Sequence, residues 1–98
     1  MSGYKLSRTA QREVADIVTY FHREISPNVA DSIETQLFTA FADLADGRAF
    51  GHARNEFAKT NVLFYAAKPY LIIFRKTRAT VFVLHVIHGS RDLKRILQ

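Results

Sequence analysis

The sequence predicts an α+β domain: an N-terminal strand, an antiparallel helical hairpin, a three-stranded antiparallel sheet and a short C-terminal helix. Three observations carry this reading. Apolar residues recur at three- and four-residue spacings over residues 8–45, the signature of amphipathic helices. Residues 62–66, 70–76 and 80–87 form runs rich in β-branched and aromatic side chains. Pro27, Gly47 and Pro69 fall between these segments rather than inside them. Ninety-eight residues with 48% hydrophobic side chains suit one domain, 1–98, with a core of its own.

Tyr4-Lys5-Leu6 is a short extended piece, and Ser7 is placed to cap a helix running to about Ile25. Its apolar stripe is Ala10, Val14, Ile17, Val18, Phe21 and Ile25. Ser26-Pro27 interrupts and restarts the pattern, because proline is tolerated at a first helical position behind a serine cap. The second helix reaches about Ala45 and is expected to bury Ala30, Ile33, Leu37, Phe38, Phe41 and Leu44. Gly47 suits a left-handed stop. A link this short between two amphipathic helices gives a hairpin.

Arg48 to Thr60 reads as a polar loop, after which Lys68-Pro69 and Thr77-Arg78-Ala79 supply turns between three strands. Strict alternation in the last strand sets Phe82, Leu84 and Val86 against Val81, Val83 and Ile87. The sheet is thus apolar on both faces. The hairpin covers one; the other needs the C-terminal helix, with Leu93, Ile96 and Leu97, or a protein partner that completes the core.

Composition narrows the function classes. With no cysteine there is no disulfide, thiolate nucleophile or zinc–thiolate site, which fits a reducing cytoplasm. The N-terminal stretch lacks the apolar segment of a signal peptide, and the longest apolar run, Val81–Ile87, is too short to span a membrane. Charge is divided unevenly. Residues 1–46 carry four basic and seven acidic side chains, whereas 47–98 carry ten basic and two acidic, a net of +8. An anionic partner, either nucleic acid or an acidic protein surface, is expected for the second half.

The stretch HVIHGSRDL, His85–Leu93, holds the densest concentration of candidate chemistry. A metal site is disfavoured, since residues three apart on a strand point to opposite faces, and His22 and His52 offer no ligand spacing. His85 reads as a core histidine bonded to backbone. Gly89 marks the turn, Ser90 a helix cap, and Asp92 a first-turn acid complementing the helix dipole. His88 and Arg91 remain, with Arg75 at the end of its strand. Together they could hold a phosphate and move a proton, as a metal-free ribonuclease must, or contact an acidic surface. No phosphate loop, nucleophile elbow or carboxylate pair accompanies them. Phe64, Tyr65, Tyr70 and Phe74 alternate with basic residues, but core packing accounts for them better than base stacking.

Four stretches resemble the RelE/ParE superfamily of toxins from bacterial type II toxin–antitoxin systems. They are YKLSRTAQREVADIVTY, GHAR (Gly51–Arg54), YLIIFR (Tyr70–Arg75) and, above all, VLHVIHGSRDLKRIL (Val83–Leu97). The superfamily's closing pattern, an aliphatic strand entering H-G-x-R-D and a leucine-bearing helix, is matched by His88, Gly89, Arg91, Asp92, Leu93 and Leu97. The resemblance implies a small RelE-like fold and a cytoplasmic toxin neutralised by a cognate antitoxin, with no cofactor, membrane or small-molecule substrate. RelE-like members cleave mRNA on the ribosome with basic residues and usually a histidine or a C-terminal tyrosine. ParE-like members act on DNA gyrase. The absence of Tyr or Phe after Phe82, together with the long hairpin, favours the gyrase branch. That branch implies a growth-inhibiting, plasmid-stabilising protein that is not an enzyme. Arg91, Lys94 and Arg95 would meet the target, with Arg75 and Arg54 behind them and His88 structural. The alternatives are a metal-independent endoribonuclease using His88, Arg91 and Arg75, and an inactive interaction module.

Overall fold

The computed structural model describes residues 3–97. Its elements run β1 (Gly3–Leu6), α1 (Arg8–Glu24), α2 (Pro27–Asp46), a 3-10 helix (Asn55–Thr60), β2 (Leu63–Ala67), β3 (Tyr70–Lys76), β4 (Thr80–His88) and α3 (Leu93–Leu97). The α+β class and the order of elements are those expected. The sheet, however, has four strands in the order β1-β4-β3-β2: β1 joins it parallel to β4, while the other pairs are antiparallel.

Local chemistry sets the helix boundaries. The Ser7 and Ser26 hydroxyls accept the N–H groups of Ala10 and Val29, Pro27 opens α2, and Gly47 closes it at φ 79°. The hairpin lies on one face of the sheet, and Ala10, Val14, Leu37, Phe41 and Leu44 pack there with Ile72, Phe74, Val81, Val83 and Val86. Two stripe residues depart from expectation. Ile25 is 56% exposed, because α1 passes the end of β4 near Tyr20 and continues beyond the sheet. Phe38 is 37% exposed at the outer rim, its ring against Tyr4 and Phe41 with centroids 6.5 and 5.3 Å away.

The second face is closed by the chain itself. Val62, Phe64, Leu71, Ile73 and Ile87 are all buried beneath Phe57 of the 3-10 helix and Leu93, Ile96 and Leu97 of α3. The expectation that a partner completes this core is therefore corrected. The polar-loop reading of 48–60 overlooked Phe57, whose ring packs on Phe64 at 5.7 Å. That loop is tied down further by His52, which exchanges backbone hydrogen bonds with Phe64. Gly51 lies so close to the sheet that an added Cβ would stand 2.4 Å from the Phe74 ring.

Strict alternation fails in β4. Ile73 pairs with His85 but Phe74 with Val83, so Leu84 is an extra residue in a β-bulge. Val81, Val83 and Val86 consequently face the hairpin, while Ile87 faces α3. Val83 and Ile87 do not share a face.

The Gly51 contact yields a direct test. Gly51→Ala should lower stability by about 1–3 kcal/mol, the usual cost of overpacking, because the buried Phe74 ring has little room to yield. Urea denaturation of the two proteins checks it.

Candidate functional site

At the C-terminal end of β4, Glu13, Asp16 and Tyr20 of α1 face Tyr70, His88 and Arg91 across a groove of about 320 Å³. His88 is exposed at the strand end, edge-on to the Tyr70 ring at 6.0 Å. Its Nδ1 accepts the Ser90 N–H at 3.2 Å and lies 2.8 Å from the Ser90 hydroxyl. An acceptor Nδ1 carries no proton, so the neutral ring holds its hydrogen on Nε2. Ser90 is thus committed to His88 and does not cap α3. That role falls to Asp92, whose Oδ1 accepts the Lys94 N–H at 3.1 Å, and α3 starts at Leu93 rather than Ser90. Gln98, included in the expected helix, lies outside the described residues.

The seam is fastened from below: Gly89 N–H donates to Pro69 O and Arg91 N–H to His88 O. Arg91 itself is exposed. Tyr70 is nearly enclosed, and its phenol is pushed above the usual tyrosine range, chiefly by burial and secondarily by neighbouring Tyr20. The groove holds two carboxylates beside its histidine and arginine, a poor setting for a phosphate. Glu13, Asp16, Tyr20 and Tyr70 were not singled out from the sequence as site residues. The packing of α1 across the end of β4 brings Glu13, Asp16 and Tyr20 to His88, and the β3–β4 pairing sets Tyr70 beside it.

Arg75 is elsewhere. It pairs with Phe82 while Tyr70 pairs with His88, so five residues of β3, about 17 Å, separate them. Arg75 also lies on the α3 face, where it donates to Thr60 O at 3.1 Å. The structure brings His88 and Arg91 together and leaves Arg75 out. Arg54 stacks on the Phe64 ring, its guanidinium carbon 4.6 Å from the centroid, and so belongs to the α3 face. Lys94 and Arg95 are exposed on α3 itself.

His85 does not bond backbone as expected. Its Nδ1 is 3.4 Å from Glu13 Oε2, and both side chains are partly buried. Glu13 Oε1 accepts the Val86 N–H at 2.9 Å. His85 and His88 line different grooves, and His22 and His52 are remote from both. Among the described residues no group of three His, Cys, Asp or Glu is arranged to hold a metal ion, and no helix is long and apolar enough to cross a membrane. Phe64, Tyr70 and Phe74 are buried, as their alternation suggested.

Two of these contacts can be tested through stability. Glu13→Ala leaves the buried Val86 N–H without its acceptor and should cost about 1–3 kcal/mol, read from a urea midpoint at neutral pH. Tyr70 holds its proton more tightly folded than unfolded, so its contribution is intact below about pH 10 and declines above it. Stability lost between about pH 8 and about pH 10.5 should therefore be smaller in Tyr70→Phe than in the parent.

Comparison with known proteins agrees with the geometry. Residues 4–93 match the family model described as the ParE toxin of the type II toxin–antitoxin system parDE. Among solved structures, the chromosomal ParDE toxin–antitoxin system of P. aeruginosa aligns with a TM-score of 0.73 at 16% identity, covering 90% of this chain and 96% of that one. The RelBE2 toxin–antitoxin complex of Mycobacterium tuberculosis aligns with a TM-score of 0.61 at 21% identity, over 89% and 96%. Comparison with curated proteins gave no significant match. With nearly its whole length matched and the two-helix, four-strand architecture shared, the chain belongs to the ParE toxin family of type II toxin–antitoxin systems.

Proposed function

We propose that the protein inhibits DNA gyrase and is held inactive by a cognate antitoxin. The observation that carries the reading is the separation of Arg75 from His88 and Arg91, added to membership of the ParE family. A metal-free ribonuclease needs cationic donors around a phosphate and a proton carrier within hydrogen-bond reach of the reacting oxygens. Here the histidine–arginine pair faces Glu13 and Asp16, and the third cation is at the far end of the sheet. A target contact makes no such geometric demand. Arg91, Lys94 and Arg95 are exposed on one short segment and can meet an acidic protein surface together. In this reading His88 fixes the seam that presents them.

The antitoxin fits features of the hairpin. Tyr20, Ile25, Val29 and Phe38 leave large apolar surface exposed along it, and an antitoxin segment would cover that surface. Both structural neighbours belong to toxin–antitoxin systems, which supports a protein partner of this kind.

A supercoiling and DNA-cleavage assay with purified gyrase, run beside cell-free translation, tests the target. Inhibited supercoiling with intact translation is expected. Cut mRNA with normal gyrase would sink the reading in favour of the ribonuclease. In the gyrase assay, Arg91→Ala/Lys94→Ala/Arg95→Ala should weaken inhibition by about tenfold or more. His88→Ala should leave it within a few-fold, whereas a ribonuclease dependent on His88 would lose about 10²–10⁴ in rate.

A further inference from the structure

A second groove, of about 440 Å³, opens on the α3 side of the sheet, away from the His88–Arg91 seam. Its polar wall is made by Lys59, Arg75 and His85 with the hydroxyl residues Ser7, Thr9 and Thr60. These come from five separate elements or caps, brought together where β1 ends and Ser7 takes over the edge of β4. No carboxylate lines it.

The three basic side chains are differently prepared. Arg75 gives one N–H to Thr60 O, which orients the guanidinium and leaves most of its five donors free. His85 has Nδ1 engaged by Glu13, so Nε2 is the ring atom left for a ligand, and it donates to a phosphate when the ring carries both protons. Lys59 is an exposed point charge. A planar carboxylate is satisfied by one arginine fork, whereas a tetrahedral phosphate takes donors from several directions at once. Here an arginine, a lysine, an imidazole and the Thr9 hydroxyl line one groove, while the Ser7 and Thr60 hydroxyls are held by Leu84 O and Phe57 O. The apolar side chains Leu84 and Ile96 beside them give a sugar or base a surface to rest on.

We propose that the groove lined by Lys59, Arg75 and His85 binds a phosphate of a nucleic-acid backbone. The site is distinct from the seam and from the target contacts on α3, although Arg75 moves from the second rank of those contacts to the centre of this one. The inference does not depend on the gyrase reading, so a gyrase-negative result leaves it standing. DNA and RNA present the same phosphodiester, and separate arms with duplex DNA and single-stranded RNA distinguish them.

The test measures the affinity of the purified chain for each oligonucleotide across a salt series. Lys59→Gln/Arg75→Gln is compared with the charge-matched Lys68→Gln/Arg78→Gln, which alters only the two strand turns. All four side chains are exposed, and thermal melts by circular dichroism verify folding. The groove variant should bind at least about tenfold more weakly. Its slope of log affinity against log salt should fall by about 1.8 on duplex DNA or about 1.4 on a single strand. His85→Asn keeps a donor for Glu13 but removes Nε2, and should bind severalfold more weakly at unchanged melting temperature. Equal losses in the two charge-matched variants would overturn the proposal, leaving only diffuse attraction to a basic surface. So would tighter, Lys59- and Arg75-dependent binding of polyglutamate, which would assign the groove to an acidic protein.

Discussion

The arrangement depends on how β4 keeps its edge hydrogen-bonded after β1 runs out. β1 pairs only with Thr80–Val83, and beyond Leu6 the chain turns into a helix. A buried strand edge with unpaired amides is costly. Side chains at the start of α1 continue the ladder instead. Ser7 donates from its N–H to Val83 O and from its hydroxyl to Leu84 O, and Glu13 accepts from Val86 N–H. The same serine hydroxyl accepts from Ala10 N–H, so the residue that starts the helix also fixes it to the sheet. The direction of α1, and with it the meeting of Tyr20 with His88, is set by these bonds.

Features set by a residue's own neighbours were legible in the sequence. Ser7, Ser26 and Gly47 mark helix ends through bonds spanning three or four residues, Pro27 marks one by a fixed φ and a missing N–H, and each does so here. The strands were found because their apolar runs are long and their turns short. What escaped were features set by distant parts of the chain. The Leu84 bulge leaves no mark in composition, since Leu84 is as strand-like as its neighbours. Glu13 looks like any exposed helical carboxylate until β4 is laid beside it. Phe57 and Gly51 sit in a segment that is polar on average, and average polarity hides two residues whose partners are on β2 and β3.

The candidate site was legible only in part. HGSRD was found, and its histidine and arginine do come together. The assignment of its small residues was partly exchanged, because Ser90 is drawn to His88 and Asp92 takes the cap. Grouping Arg75 with them failed for a geometric reason: the end of an antiparallel strand lies beside the beginning of its neighbour. The halves of the chain also differ electrically for a spatial reason. The acidic half is mostly hairpin, whereas the basic half supplies β2, β3 and β4, the 3-10 helix and α3.

The bulge at Leu84 decides which side of the sheet receives the last residues of β4. Were all nine residues of β4 to pair without the bulge, the pleat would alternate strictly, and every side chain from His85 onward would change sides. His88 would then face α3, and Ile87 would meet the helices. One residue's worth of backbone thus acts as a reversing gear between two halves of a single strand. Two sheets with the same pairing order and nearly the same sequence could present the H-G-x-R-D segment to opposite environments, differing only in whether that residue is accommodated.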